Sequence, residues 1–185
     1  AAGWAALCRL VTNAHLSGER GNPLSTPDRV AAAARGLTRP HPGDSEPANL
    51  VVLLGPESDV GRAVLRTDRA GARALLQAWQ VLLPRDALVL EIVCHGGPDG
   101  TSGSRNHAAR MLALADALGV PAILSAAVRH IDPLDARIVD VLDAARRLVL
   151  LDRRHLDRVS AAGHLASTST MHLSLIHISE PTRPY

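Results

Sequence analysis

Lysine and phenylalanine are absent from this 185-residue chain, and aromatic side chains are confined to Trp4, Trp79 and Tyr185. Stacking platforms for single-stranded nucleic acid need aromatics, so that mode of binding is excluded. The core has to be built from Leu, Val, Ala and Ile. All 20 basic residues are Arg, a bias read as GC-rich codon usage rather than as a binding signal. With 18 acidic residues interspersed, the net charge of +2 provides no long-range steering field. Cys8 and Cys94 are too few for a disulfide framework and sit in apolar contexts, as expected of a reducing cytoplasm. No stretch reaches the roughly 18 apolar residues of a membrane span. There is no signal peptide and no initiator Met, and the chain opens directly on a helical pattern, so it is read as an internal piece of something longer.

What is present is 46% hydrophobic and suits one α/β domain. From Ala5 to Leu16, the residues Leu7, Cys8, Leu10, Val11 and Ala14 recur at helical spacing. Thr26-Pro27-Asp28 is an N-cap with Pro at the first helical position, opening a helix to about Arg35. Thr38 to Asn49 collects Pro40, Pro42, Gly43 and Pro47 and reads as a loop. Leu50 to Leu54 and Ala87 to Val93 read as strands buried on both faces. Between them lie a short helix from Ser58 to Leu65 and a longer one from Arg69 to Leu83, whose Leu75, Leu76, Trp79, Leu82 and Leu83 face inward before Pro84 ends it. Beyond the Gly-rich segment 95–104, Ser104 caps a helix carrying Met111, Leu112, Leu114, Ala115 and Leu118 that stops at Gly119. Ala122 to Ser125 is the next strand, and Asp132-Pro133 opens a helix with Ile138, Val141, Leu142 and Ala145 as its apolar face. Strands alternating with helices through short links imply parallel pairing and an α/β fold.

Leu173 to Arg183 is similar to the in-frame translation of a sequencing-library adapter, and two of the six Ile residues and the only Tyr fall in the last thirteen positions. Residues 168–185 are therefore set apart from 1–167 as an artefactual tail, which makes the piece truncated at both ends.

Parallel α/β folds place their sites at the carboxyl ends of strands, here Leu54-Gly55-Pro56, Cys94-His95 and Ser125 to His130. Cys94, His95, His130 and Asp132 are ligand-capable, but their spacing matches no metal motif, and a strand-end Cys is more often a small buried hydrophobe. The loop Gly96-Gly97-Pro98-Asp99-Gly100-Thr101-Ser102-Gly103 invites a phosphate-cradle reading. It lacks the P-loop pattern, and Pro98 removes a donor, so an ordinary crossover is preferred. Ser104, His107 and Asp116 have the residue types of a hydrolytic triad, but helical spacing separates His107 from Asp116 by about two and a half turns. Arg146, Arg147, Arg153, Arg154 and Arg158 alternate with Asp143, Asp152 and Asp157, as on a solvated, salt-bridged face; a phosphate-backbone contact is the minority reading.

Taken in order, Gly-Trp-Ala-Ala-Leu-Cys-Arg-Leu-Val (3–11), Leu-Val-Val-Leu-Leu-Gly (50–55), Asp-Val-Gly-Arg (59–62), Leu-Glu-Ile-Val-Cys-His-Gly (90–96), His-Ala-Ala-Arg-Met-Leu-Ala-Leu-Ala (107–115) and Gly-Val-Pro-Ala-Ile-Leu-Ser-Ala-Ala-Val-Arg-His-Ile-Asp-Pro (119–133) resemble the polymerase-and-histidinol-phosphatase (PHP) domain of bacterial C-family DNA polymerases. The resemblance covers about Gly3 to Ser167, and the Ala-Val-Arg-His and Asp-Ala-Ala-Arg-Arg-Leu forms look most like the error-prone branch.

It implies a distorted (β/α)7 barrel with metal ligands at strand ends, here incomplete because its amino-terminal strands are missing. The family's Cys after Ser-Gly is Pro56 here, and the Asp and His of its Asn-Asp-Val-His pattern are Ala127 and Arg129. Pro and Ala carry no side-chain donor and Arg stays protonated, so no catalytic, cofactor-binding or metal residue is expected in this piece. Arg129 is expected to fill the vacated space with its own cation. The parent enzyme would copy damaged DNA from deoxynucleotides with Mg²⁺ held in a palm domain elsewhere, and this piece would pack on the polymerase body as a scaffold. A stand-alone PHP phosphoesterase and a purely structural or partner-binding α/β module are the alternatives.

Overall fold

The computed structural model describes residues 2–19, 21–35, 50–152 and 160–179. The whole 38–49 loop, together with Arg153, Arg154, Asp157 and Arg158 of the basic cluster and residues 180–185 of the tail, lies outside them. The described chain is mixed α/β, with seven α-helices and one parallel three-stranded sheet: α1 (Ala2–Ser17), α2 (Pro27–Ala34), β1 (Val52–Leu54), α3 (Asp59–Leu65), α4 (Arg69–Leu82), β2 (Leu88–Val93), α5 (Arg105–Leu118), β3 (Ala122–Ser125), α6 (Ala136–Arg147) and α7 (Thr168–Ser179). No described helix is long and apolar enough to cross a membrane.

The strands run in the order β1-β2-β3, with Leu54 opposite Leu90 and Leu90 opposite Ala122. Among the described residues only β2 has a strand neighbour on both sides, and it supplies the buried centre: Leu88, Leu90 and Ile92 pack with Leu54, Val60, Leu76, Met111 and Ala115. Local chemistry sets the helix ends. Ser58 Oγ accepts from the Gly61 amide at 3.0 Å and Ser104 Oγ from the His107 amide at 3.3 Å, while Gly119 at φ 62° ends α5 in the left-handed conformation. Trp79 Nε1 donates to the Asp59 carboxylate at 3.2 Å and joins α4 to α3.

Three expectations are corrected. The Leu50 to Leu54 segment is not buried on both faces: Val51 and Leu53 are exposed, because the described helices α3, α4 and α5 pack on the opposite side of the sheet. Helix α1 leaves Leu7, Cys8 and Val11 exposed and fully buries only Ala6, because its described contacts are chiefly with α2. Helix α6 is rotated relative to its hydrophobic pattern. It buries Ala136, Asp140 and Ala144 and turns Ile138, Val141 and Leu142 outward at 58%, 52% and 62% exposure. The small side chains at 136 and 144 permit a close approach that the bulky face does not.

Helix α7, which falls in the segment set apart as a tail, packs against α5 and β3 and places Ile178 in the core.

Candidate functional site

A groove of about 510 Å³ lies at the carboxyl end of the sheet, lined by Leu53, Gly55, Pro56, Glu57, Ser58, Glu91, Val93, His95, Ser102, Gly103 and Ala127. Strand alternation builds its floor. Glu91, Val93 and His95 are two residues apart and share the open face, while Cys94 between them turns the other way toward Leu124, Met171 and Ser174. Adjacent in sequence, Cys94 and His95 are therefore not partners in one site.

The groove wall is closely fitted on one side. A Cβ at Gly55 would sit 2.5 Å from Glu91 Oε2, so the absence of a side chain there leaves room for the carboxylate. Behind it the Gly55-Pro56 turn is fixed to α3, with the Ser58 hydroxyl donating to the Gly55 carbonyl at 2.7 Å. The opposite wall is a left-handed turn. Ala127, at φ 44°, is held by its own amide donating to Ser125 Oγ at 2.9 Å. His95 Nε2 donates to the Ala126 carbonyl at 2.7 Å, so the ring is anchored by the same turn and only Nδ1 remains for a ligand.

The remaining candidates are dispersed. His130 is buried, with Nδ1 2.9 Å from the Asp132 carbonyl oxygen and Nε2 3.2 Å from that of Ser160. Asp132 caps the 3-10 turn before α6 by accepting from the Leu134 amide at 3.0 Å. Both residues serve backbone closure. Among the described residues no three His, Cys, Asp or Glu side chains form a group able to hold a metal ion.

Pro56 and Ala127 line the groove, but Arg129 does not. Its guanidinium pairs with Asp143 of α6 at 3.0 Å, so the expectation that it fills the vacated space is corrected. Two constraints set its direction: residue 129 follows the left-handed turn, and its amide donates to the Gly163 carbonyl at 2.9 Å.

Ser104, His107 and Asp116 are not assembled. Ser104 Oγ is occupied as a cap, His107 Nε2 donates to the Gly61 carbonyl at 2.9 Å, and Asp116 is exposed near the far end of α5. Burial pushes the His107 imidazole below its ordinary value, against the opposing pull of the Gly61 carbonyl and of Glu57. In the Gly-rich loop, the amides of Thr101 and Ser104 bond the carbonyls of Pro98 and Thr101, so these donors are not available to cradle a phosphate. Arg146 bonds Asp143 at 3.4 Å, in keeping with a salt-bridged face.

Glu91 is the groove residue that sequence reasoning missed. The signal was there, since it is the one charged side chain within the apolar run from Ala87 to Cys94. A strand covered on both sides would not tolerate it unpaired, so it marks an open face. Chemically, the groove offers the Glu57 and Glu91 carboxylates, the Ser102 hydroxyl and one anchored imidazole, the Ser58 hydroxyl being committed to Gly55 and Gly61.

Neither protein-family models nor curated proteins give a match to the chain.

Proposed function

We propose that the chain is part of a degenerate PHP domain of an error-prone C-family DNA polymerase and acts as a metal-free, cytoplasmic scaffold packed on the polymerase body. The motif order from Gly3 to Ser167 carries the family assignment. One structural observation supports the inactive character: Pro56 and Ala127, at two of the family's ligand positions, both face the strand-end groove and contribute no donor atom to it. The parallel order β1-β2-β3, with helices following each strand, is compatible with a segment of a distorted (β/α)7 barrel in which further strands would pair with β1 and β3. DNA synthesis from deoxynucleotides, with its Mg²⁺, would belong to the palm of the parent enzyme, and this domain would contribute no catalytic residue.

Metal analysis of the complete domain, expressed from the contiguous gene and purified without chelator, tests this reading. Substoichiometric Zn and Mn are expected, together with a polymerase palm encoded downstream. Stoichiometric metal, or phosphatase activity abolished by a chelator, overturns the inactive assignment.

A further inference from the structure

On the side of β2 away from the groove, Cys94, His164 and Met171 line one cavity of about 80 Å³. They come from three separate segments: the end of β2, the stretch before α7, and α7 itself. Leu124, Ala126, Ala162 and Ala166 supply apolar walls, and among the described residues no Asp, Glu, Lys or Arg lines the space. That volume suits a single ion and is far below what an organic ligand needs.

The polar side chains of this cavity sort into two kinds. Its hydroxyls are already committed: Ser125 Oγ accepts from the Ala127 amide at 2.9 Å, Ser174 Oγ donates to the Thr170 carbonyl at 3.2 Å, and Thr170 Oγ1 lies 2.9 Å from Ser167 Oγ. Cys94, by contrast, is a free thiol. His164 Nδ1 donates to the Ala161 carbonyl at 3.0 Å, which leaves Nε2 as the nitrogen with a lone pair. Metal-binding histidines are oriented in this way, through a backbone carbonyl on the other ring nitrogen. The donors left over are a thiol sulfur, a thioether sulfur and an imidazole nitrogen.

Those donors select the ion. Thiolate and thioether ligands suit Cu(I), whereas Ca²⁺ and Mg²⁺ require oxygen. Charge points the same way: one thiolate neutralises Cu⁺ between apolar walls, while Zn²⁺ would leave a net positive charge there. With a thioether as third donor, the trio is consistent with the lack of a three-membered His, Cys, Asp or Glu group among the described residues.

We propose that Cys94, His164 and Met171 form a three-coordinate Cu(I) site. On binding, a Cu–S bond replaces the Cys94 S–H bond, the proton leaves to solvent, and copper stays in the +1 state. The metal-free character of the scaffold reading concerns the groove on the other face of β2, so this site goes beyond that reading and does not depend on it.

Anaerobic titration of the Cys8→Ser chain with Cu(I), in competition with a chromogenic chelator, tests the proposal; Cys8 is an exposed thiol that would bind copper by itself. One Cu(I) per chain is expected. Adding Cys94→Ser abolishes binding, and adding Met171→Leu, which conserves volume, weakens it at least about tenfold, the loss that removing even an outer partner of a metal ligand produces. Two measurements with all three donors intact are independent of whether those variants fold. X-ray absorption of the loaded chain shows two sulfurs and one nitrogen on copper, and the Met171 methyl signal moves with added Cu(I) while that of Met111, buried in the core, stays in place. The proposal is overturned if Met171→Leu binds as tightly as its parent, if copper has no nitrogen ligand, if the Met171 methyl does not respond, or if equimolar Zn²⁺ displaces Cu(I).

Discussion

His107 on α5 donates from Nε2 to the carbonyl of Gly61 on α3 at 2.9 Å, so a buried imidazole ties together two helices whose bonded residues are 46 positions apart. Both residues are buried, so the bond is made out of reach of bulk water.

His107→Ala therefore loses the bond and opens a cavity, at a cost of about 2–4 kcal/mol, measured as a drop in urea midpoint with unchanged slope. His107→Gln retains a donor of similar reach and costs less.

Stability also depends on pH through this ring. Its folded pKa lies below the unfolded value of 6.5, so between the two the unfolded chain binds more protons. The contribution is complete above 6.5 and is lost as pH falls from there toward the folded pKa. The expected result is a urea midpoint that declines from about pH 7.5 to about pH 5.5 in the native chain, with a shallower decline in His107→Gln.

Two glycines a few residues apart should respond differently to Ala. A Cβ at Gly61 would lie 2.4 Å from both the Gly55 and the Pro56 carbonyl oxygens, which are backbone and cannot swing aside. Gly61→Ala is expected to destabilise by about 1–3 kcal/mol or more. At Gly55 the clash is with Glu91 Oε2, the end of a flexible side chain, so Gly55→Ala should cost under about 1 kcal/mol while reorienting the groove carboxylate. Thermal melts of the two variants check the contrast.

Ile178→Ala tests whether α7 belongs to the folded core. The side chain is only 4% exposed, so truncation should cost about 2–4 kcal/mol, read from the urea midpoint. A change within about 0.5 kcal/mol would place 168–185 outside the cooperative unit.

The features legible in the sequence were those with local causes. Ser104, Gly119, Ser58 and Pro84 fixed helix ends through caps, a left-handed stop and a missing amide, and β3 spans the expected Ala122 to Ser125. Orientation was legible for α4, whose Leu76 and Leu83 are buried while Leu75, Trp79 and Leu82 pack on the core, but not for α6. The stripe of Ile138, Val141 and Leu142 is an amphipathic pattern, but which side of α6 meets the rest of the chain depends on how closely Ala136 and Ala144 can approach it. The same limit applies to Arg129: its type could be read, but its pairing with Asp143 depends on a turn set by Ala127 and Gly163. Of the candidate site, the strand ends were legible, and Glu91 was visible as a charge out of place in an apolar run.

The alternation that sends Cys94 inward and His95 into the groove also separates two kinds of evolutionary change. Substitutions at 91, 93 and 95 can alter what the groove presents while the packing made by 90, 92 and 94 stays intact, so new binding chemistry can be sampled by single replacements. A one-residue insertion or deletion early in β2 has the opposite character, since it exchanges the two sets and sends Glu91 and His95 into the core. The strand is permissive to point mutation on one face and intolerant of a length change.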